Sequence, residues 1–301
     1  MKTTIVVAGA SGNLGGRIVK ALVARGADVR AIVRSGTAAA TVAAVDNLGA
    51  TVATVNDWSV AELTRACAGA ACVVSALQGL REVIVDAQSA LLEAAVAAGV
   101  PRFIPSDFSS DLTKLAPGEN RNFDLRREFH VRLDAAPIAA TSILNGGFME
   151  LLLGQMPLLD LDAHRVSYWQ NPDQLLDFTT MDNTAEFTAF AALDASTPRA
   201  LRIAGDQVSV RDLAAIAGDL TGAEFTLVDL GTIAELEVRI KRDRAADPAG
   251  EKQPYPRWQA MQYMHGMFSG RGALDPLDNA RYPDIVWTSV RELLIDAHAH
   301  V

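Results

Sequence analysis

Three glycines spaced three residues apart, Gly9, Gly12 and Gly15, lie in the segment GASGNLGG near the start of the chain. They follow a short β-branched run and precede a segment with the spacing of an amphipathic helix. At such a junction, glycine lets the chain turn sharply, the backbone approach a pyrophosphate and the helix lie close to the sheet. The helix N-terminus then directs free N–H groups at the phosphates. The pattern therefore predicts a dinucleotide-binding loop.

The second predicted strand ends at Arg34, where a site selective for NAD would carry an acidic residue to bind the ribose 2′-hydroxyl. No Asp or Glu lies between Arg30 and Val45. A guanidinium suits the 2′-phosphate of NADP instead, because it is planar, permanently charged and donates several hydrogen bonds. We therefore predict a preference for NADP(H). The alternative interpretation is that Arg34 is a solvated surface residue.

Strand and helix signals alternate through the first half of the chain, which predicts a parallel sheet with right-handed crossovers. The predicted strands lie at 5–8, 29–33, 51–55, 71–75, 102–104 and 140–144, and the predicted helices at 17–25, 37–48, 60–67, 83–98 and 123–133. We therefore expect an α/β protein with a doubly wound parallel Rossmann sheet. Residues 1–150 form the predicted Rossmann domain. Residues 151–301 form a smaller C-terminal α/β lobe, interwoven with the first and packed over the C-terminal edge of the sheet.

The pattern of the C-terminal half is looser. The predicted strands lie at 201–203 and 225–228, and the predicted helices at 210–220, 258–268 and 288–297. The pairs Ser209/Asp212 and Ser289/Glu292 are typical of helix starts. The segment 242–256 is charged and contains three prolines, which predicts a surface excursion.

The composition limits the classes of partner. A net charge of −9 argues against binding to a nucleic-acid backbone, and no apolar run reaches the roughly 18 residues of a membrane span. We expect Cys67 and Cys72 to be small buried residues and His298 and His300 to belong to a solvated tail, so no metal site is predicted. The chain enters a strand directly, without the pattern of a signal peptide. We therefore expect a cytoplasmic protein that binds a small molecule.

The glycine spacing, Arg34 and the segment RFIPSDF (102–108) together resemble the NmrA-like and isoflavone-reductase-like group of atypical short-chain dehydrogenases/reductases. The segment SILNGGF (142–148) resembles the sixth strand of that group and the turn after it. The resemblance is stronger in the Rossmann half. It implies NADP(H) on the glycine loop, adenine after strand three, and nicotinamide between strand four and the turn after strand five. The implied cofactor-binding residues are Gly9, Ser11, Gly12, Asn13, Leu14, Gly15, Arg34, Asn56, Asp57, Ser75, Ala76, Leu77, Gln78, Pro105, Ser106, Asp107 and Phe108. For Asn13, a simple turn preference is an equal alternative.

The chain departs from these relatives in its proton-donating residues. Classical short-chain dehydrogenases use Tyr-x-x-x-Lys, but none of the four tyrosines here has a lysine four residues later. Isoflavone-reductase-like enzymes place a lysine on the helix before strand six, and Arg126 occupies the corresponding position. A guanidinium is not an acid or base at neutral pH, although it could polarise a carbonyl. His130 lies one helical turn later and could supply the proton; alternatively, it is a helix histidine paired with Glu128 or Asp134.

Methionine and aromatic residues are concentrated in the segment 258–268. Their helical spacing predicts either a lid helix buried on the core or a wall for a planar apolar substrate. Tyr168 and Trp169, interpreted as a loop after strand six, form a second candidate wall. The predicted substrate-pocket residues are Asn145, Phe148, Trp169, Met264 and Phe268.

Two functions are compatible with these features. The first is an NADPH-dependent reductase of a small aromatic or conjugated carbonyl or quinone-like compound, in which Arg126 or His130 stabilises or protonates the developing oxyanion. The second is a non-catalytic NADP(H)-sensing regulator that acts through a protein partner. The missing lysine favours the sensor. We favour the reductase, because the Met- and Trp-rich segment indicates a cavity of ligand size.

Overall fold

The structure, a computed structural model, describes residues 2–299. At its centre is a six-stranded parallel sheet with strand order β3-β2-β1-β4-β5-β6. The strands are β1 (Thr4–Ala8), β2 (Asp28–Arg34), β3 (Thr51–Val55), β4 (Cys72–Ser75), β5 (Arg102–Ile104) and β6 (Ala139–Ala140). The inner strands are buried on both faces, which explains their continuous apolar runs. The predicted fold class is confirmed.

Helices cover both faces of this sheet, and all but α2, which buries only Val45, pack several apolar residues onto it. They are α1 (Asn13–Ala24), α2 (Ala39–Asp46), α3 (Val60–Cys67), α4 (Gln88–Ala97) and α5 (Arg121–Ala135). Ile18 and Leu22 of α1 join the core on one face, whereas Leu91 and Phe129 join the core on the other. A π-helical segment, Glu82–Ala87, precedes α4 and divides the single helix predicted at 83–98.

The sixth predicted strand, 140–144, is also divided. β6 pairs with β5 in the central sheet, whereas β7 (Ser142–Leu144) pairs with a later strand, Ala200–Arg202. The partner strand β5 ends before Pro105, which has no N–H group with which to continue the ladder. The Ser142 N–H donates instead to the carbonyl of Arg199 at 2.9 Å.

In the described residues, the C-terminal half of the chain contains short strands and five α-helices. The remaining strands are β8 (Gly147–Phe148), β9 (Leu159–Asp160), β10 (Arg165–Tyr168), β11 (Leu176–Thr179), β12 (Ala200–Arg202), β13 (Asp206–Val208) and β14 (Thr226–Asp229), and the helices are α6 (Met181–Leu193), α7 (Val210–Thr221), α8 (Ile233–Ala246), α9 (Arg257–Phe268) and α10 (Val290–His298). The strands form the sheets β14-β10-β9 and β13-β11-β8. α6 packs against α1, so it belongs to the core of the central sheet although it lies in the C-terminal half of the sequence.

The capping boxes predicted at Ser209 and Ser289 are confirmed. The surface excursion predicted at 242–256 is partly wrong, because α8 continues to Ala246 and buries Leu236 and Ile240 one turn apart. Its many charged residues hid that short apolar stripe. Tyr168 ends strand β10 rather than lying in a loop.

Within residues 2–299, no helix is long and apolar enough to cross a membrane, and no group of His, Cys, Asp and Glu side chains is arranged to hold a metal ion. Cys67 and Cys72 are free and buried, and burial raises the pKa of each thiol to about 12. His298 is exposed, and His300 lies outside the described residues.

Candidate functional site

The glycine loop joins β1 to α1 with almost no space for side chains. Gly9 has a φ of +89°, and a Cβ there would lie 2.5 Å from the carbonyl oxygen of Ala76 on the neighbouring strand end. A Cβ on Gly15 would overlap the carbonyl oxygen of Gly9. The Gly12 N–H donates to that same oxygen at 2.9 Å. The predicted strand–turn–helix loop is therefore present.

The first turn of α1 presents free backbone donors next to this loop. Among the described residues, no side chain caps the helix at Gly12, so the N–H groups of its first turn are available to an anion. Ser11 is exposed, and Leu14 packs partly against the core. Asn13 accepts a hydrogen bond from Arg17 Nε at 3.0 Å, so its side-chain oxygen is engaged within the helix.

The residues predicted near the adenine ribose lie together at the ends of β2 and β3. Arg34 is exposed, and its guanidinium lies 4.9 Å from the centre of the Trp58 ring. The Ser35 hydroxyl donates to the carbonyl of Asn56 at 3.1 Å, which joins the two strand ends. Asp57 accepts from the Ser59 N–H at 2.9 Å, and its hydrogen bonds from Ser59 lower its pKa. These contacts place the exposed Arg34 guanidinium at the ends of β2 and β3.

The structure brings the end of β4 against the turn that follows β5. Ser106 is central to this contact: its hydroxyl donates to the carbonyl of Leu77 at 2.7 Å, and its N–H donates to Gln88 Oε1 at 2.9 Å. Gln78 donates to the Tyr255 hydroxyl at 2.9 Å and so reaches the C-terminal lobe. These contacts place side by side the residues predicted for the nicotinamide end, namely Ser75, Ala76, Leu77, Gln78, Pro105, Ser106, Asp107 and Phe108.

Arg126 lies on the α5 face that borders this turn. Its side chain is buried, with Nε donating to the carbonyl of Ser106 and Nη1 to that of Asn122, both at 3.0 Å. Among the described residues, none accepts a hydrogen bond from Nη2. Arg126 therefore places its positive charge next to the Leu77–Ser106 contact, with Nη2 free of hydrogen bonds to the described residues.

His130 lies one turn further along α5 and binds the other side of the same turn. Its Nε2 lies 2.7 Å from Oδ2 of Asp107, whose carboxylate is fully buried. The Ser142 hydroxyl donates to the same oxygen at 2.6 Å. Burial alone would raise the Asp107 pKa, but His130, Ser142 and Arg126 together hold it below its ordinary value. The Ser106 side chain contacts Leu77, just after β4, whereas Asp107 contacts Ser142 of β7. Arg126 and His130 therefore bind adjacent residues of the turn whose side chains point to different strands.

The predicted substrate-pocket residues fall into two groups. Trp169, Met264 and Phe268 are buried in the core of the C-terminal lobe. Phe148 is half-buried against the core of the central sheet. Asn145 is fully buried, and neither its amide oxygen nor its amide nitrogen has a hydrogen-bond partner among the described residues. Contact of these residues with a substrate stays a prediction.

Sequence reasoning missed the polar face of α9, which lies opposite the face that carries Met264 and Phe268. Gln259 donates to Asn120 Oδ1 at 2.8 Å, Gln262 accepts from the Arg121 N–H at 3.1 Å, and the Tyr263 hydroxyl accepts from Asn122 at 3.1 Å. This polar face of α9 is bound to the first turn of α5. The signal available was the spacing of Gln259, Gln262 and Tyr263 along a helix whose other residues are mostly apolar.

A doubly wound parallel sheet with a glycine-lined strand–turn–helix defines a Rossmann-like α/β protein. The chain belongs to the NmrA-like family, whose profile matches residues 1–285. This confirms the resemblance inferred from the glycine loop and the RFIPSDF segment. No curated protein matches the chain.

Solved structures share the fold over nearly the whole chain. The structure of AtPrR2 with NADP+ and (+)pinoresinol is 22% identical, with a TM-score of 0.82 and coverage of 98% of this chain and 99% of that one. An isoflavone reductase is 18% identical, with a TM-score of 0.80 and coverage of 99% and 100%. An NADPH-dependent quinone oxidoreductase from Escherichia coli is 21% identical, with a TM-score of 0.74 and coverage of 99% and 100%. At these identities the similarity establishes the fold.

Proposed function

We propose that this protein is an NADPH-dependent reductase that transfers a hydride to a small aromatic or conjugated carbonyl or quinone-like compound. Its family and its fold support this, since the similar structures include an isoflavone reductase and a quinone oxidoreductase. The observation that carries the proposal is Arg126, a buried guanidinium with an unpartnered Nη2 beside the Ser106 turn.

The residues of the glycine loop fit a dinucleotide. The uncapped first turn of α1 would bind the pyrophosphate through its N–H groups. Arg34 would bind the 2′-phosphate, since it is exposed at the end of β2. Leu77, Gln78 and Ser106 would border the nicotinamide. When bound, NADPH supplies the hydride, and the protein supplies orientation and exclusion of water.

Arg126 would stabilise the negative charge that develops on the substrate oxygen. Its two hydrogen bonds to backbone carbonyls hold the guanidinium in one orientation before the substrate arrives. A donor that is already oriented needs no reorganisation during the reaction, so its stabilisation of the oxyanion is large. Arg126 keeps its charge throughout, which means that the proton must come from another group.

The test is the loss of NADPH absorbance with purified protein and a panel of quinones, enones, aldehydes and imines. We expect turnover with at least one of them, and a decrease of about 10²-fold in kcat for Arg126→Gln. Arg132→Gln is the matched control, because Arg132 is a half-exposed arginine on the same helix. Equal activity of both variants would remove Arg126 from the mechanism.

A non-catalytic NADP(H) sensor is the second candidate, and the arginine at the family's lysine position favours it, since arginine cannot donate a proton. Tight binding of NADPH without turnover of any compound in the panel would support the sensor and a protein partner. We also propose a cytoplasmic monomer or weak homodimer. The two free, buried thiols are compatible with a reducing compartment.

A further inference from the structure

Tyr263 projects from α9 of the C-terminal lobe onto the same face of α5 that carries Arg126. Its hydroxyl oxygen accepts a hydrogen bond from Asn122 Nδ2 at 3.1 Å, and Asn122 precedes Arg126 by one helical turn. The ring packs edge-to-face on Phe123, with the ring centres 5.3 Å apart. These contacts hold the hydroxyl group in one place between the lobe and the Rossmann half.

The proton of this hydroxyl has no acceptor among the described residues, since the only hydrogen bond at the oxygen is the one received from Asn122. Arg126 and Arg121 lie close enough for their charges to lower the Tyr263 pKa. Burial raises that pKa more strongly, so the net direction is upward and the phenol keeps its proton at neutral pH. The remaining titratable group that faces it is Tyr255, with its ring centre 6.4 Å away.

We propose that Tyr263 is the proton donor of the reductase, a role that nothing in the sequence pattern assigns to it. This inference rests on the proposed function. Tyr263 would supply the proton in place of the lysine that this chain lacks. Arg126 would stabilise both the oxyanion of the substrate and the phenolate that remains on Tyr263. A phenol beside a fixed cation can act as a general acid. Here the two groups come from different parts of the molecule, Tyr263 from α9 and Arg126 from α5.

The substrate carbon receives the hydride, with its two electrons, from NADPH, and the carbonyl oxygen becomes negative. The O–H bond of Tyr263 breaks while an O–H bond forms on that oxygen, giving an alcohol or an enol; with a quinone, the keto–enol product then tautomerises to the hydroquinone. The resulting phenolate accepts the Asn122 hydrogen bond, lies near Arg126, and regains a proton from water before the next turnover.

His130 is the competing candidate, and its contacts argue against it. Its Nε2 is bound to the buried Asp107 carboxylate on the β7 side of the turn. Arg126, by contrast, binds Ser106, which reaches Leu77 on the β4 side. We therefore assign His130 a positioning role, in which it orients the turn through Asp107.

The experiment compares Tyr263→Phe with Tyr282→Phe. Tyr282 is the matched control, because it is also a half-buried tyrosine but donates its hydrogen bond to Asp194 beside α6. We expect Tyr263→Phe to lower kcat about 10²-fold, to leave NADPH affinity and the melting temperature near wild type, and to abolish the loss of activity at high pH. That alkaline loss reflects ionisation of Tyr263, whose protonated form is the active one. The control should keep wild-type kcat.

A readout without turnover comes from NMR of protein with carbon-13 at tyrosine Cζ. The signal missing from Tyr263→Phe identifies Tyr263, and its pKa should rise in Arg126→Gln because the nearby positive charge is lost. Wild-type kcat in Tyr263→Phe, with the reductase active, would overturn this inference and leave the proposed function intact. A wild-type protein that binds NADPH but turns over no compound would overturn both.

Discussion

At the proposed phosphate end of the site, the backbone of one continuous segment forms the surface, whereas at the opposite end side chains far apart in sequence form it. The glycine loop occupies seven residues, and it is tightest at Gly15, where an added Cβ would overlap the Gly9 carbonyl oxygen. By contrast, Gln78 meets Tyr255 across 177 positions, and Asn122 meets Tyr263 across 141. The first end is complete once β1 and α1 form. The second exists only when the lobe docks on α5.

The sharpest test of the phosphate end is Gly15→Ala. The added Cβ would overlap the Gly9 carbonyl oxygen, which belongs to backbone and cannot yield, so we expect loss of measurable NADPH binding and a destabilisation of about 3 kcal/mol. Fluorescence titration and urea unfolding measure the two effects. Gly16→Ala is the control, because its nearest neighbour, the Ala10 oxygen, lies at 3.4 Å. Equal effects in both variants would contradict the conclusion that close backbone contacts exclude a side chain at Gly15.

The next largest effect concerns the turn that separates Arg126 from His130. His130→Ala removes the Nε2 hydrogen bond to the buried Asp107 carboxylate, so we expect a loss of about 3 kcal/mol in the free energy of unfolding at neutral pH. Because the folded pKa of Asp107 lies below its ordinary 3.8, this stabilisation is present above pH 3.8 and is lost as pH falls through the lowered value.

Urea unfolding on either side of pH 3.8 measures that difference, with His298→Ala, an exposed histidine, as the control. The difference in the free energy of unfolding between wild type and His130→Ala should be smaller at the lower pH. A difference that does not depend on pH would mean that His130 stabilises the fold by packing alone.

A smaller effect is expected at the adenine ribose. Arg34→Ala removes the proposed partner of the 2′-phosphate, so NADPH affinity should fall about tenfold, or about 1.4 kcal/mol, while NADH affinity stays constant. Parallel titrations with the two nucleotides measure the selectivity. Arg65→Ala, an exposed arginine on α3, should change neither affinity. Equal wild-type affinity for NADH and NADPH would show that Arg34 does not select the nucleotide.

The smallest expected effect tests the docking of the lobe. Tyr255→Phe removes one hydrogen bond to Gln78, which is worth about 1 kcal/mol, so KM for the substrate should rise roughly fivefold with kcat nearly constant. Adding Gln78→Ala to that variant should produce little further change, since the two residues share the bond. A fully additive double variant would mean that the two side chains act independently.

The sequence predicted the central fold well because its signals are local. β3 and α3 have their predicted bounds, 51–55 and 60–67, and the capping boxes at Ser209 and Ser289 depend on residues three positions apart. The divided sixth strand could not be predicted in this way. Pro105 ends β5, the partner of β6. The partner of β7 is β12, at 200–202, some 60 residues further along the chain.

The sequence by itself determined the Rossmann sheet, the glycine loop and Arg34 at the end of β2, because each depends on residues that are neighbours in the chain. It also identified Arg126 and His130 as neighbours on one helix. Only the tertiary structure decided that they bind opposite sides of the turn, at Ser106 and Asp107. It also decided that Tyr263 reaches Asn122. Helical periodicity sets which residues share a face, but the packing of α9 on α5 sets what that face meets.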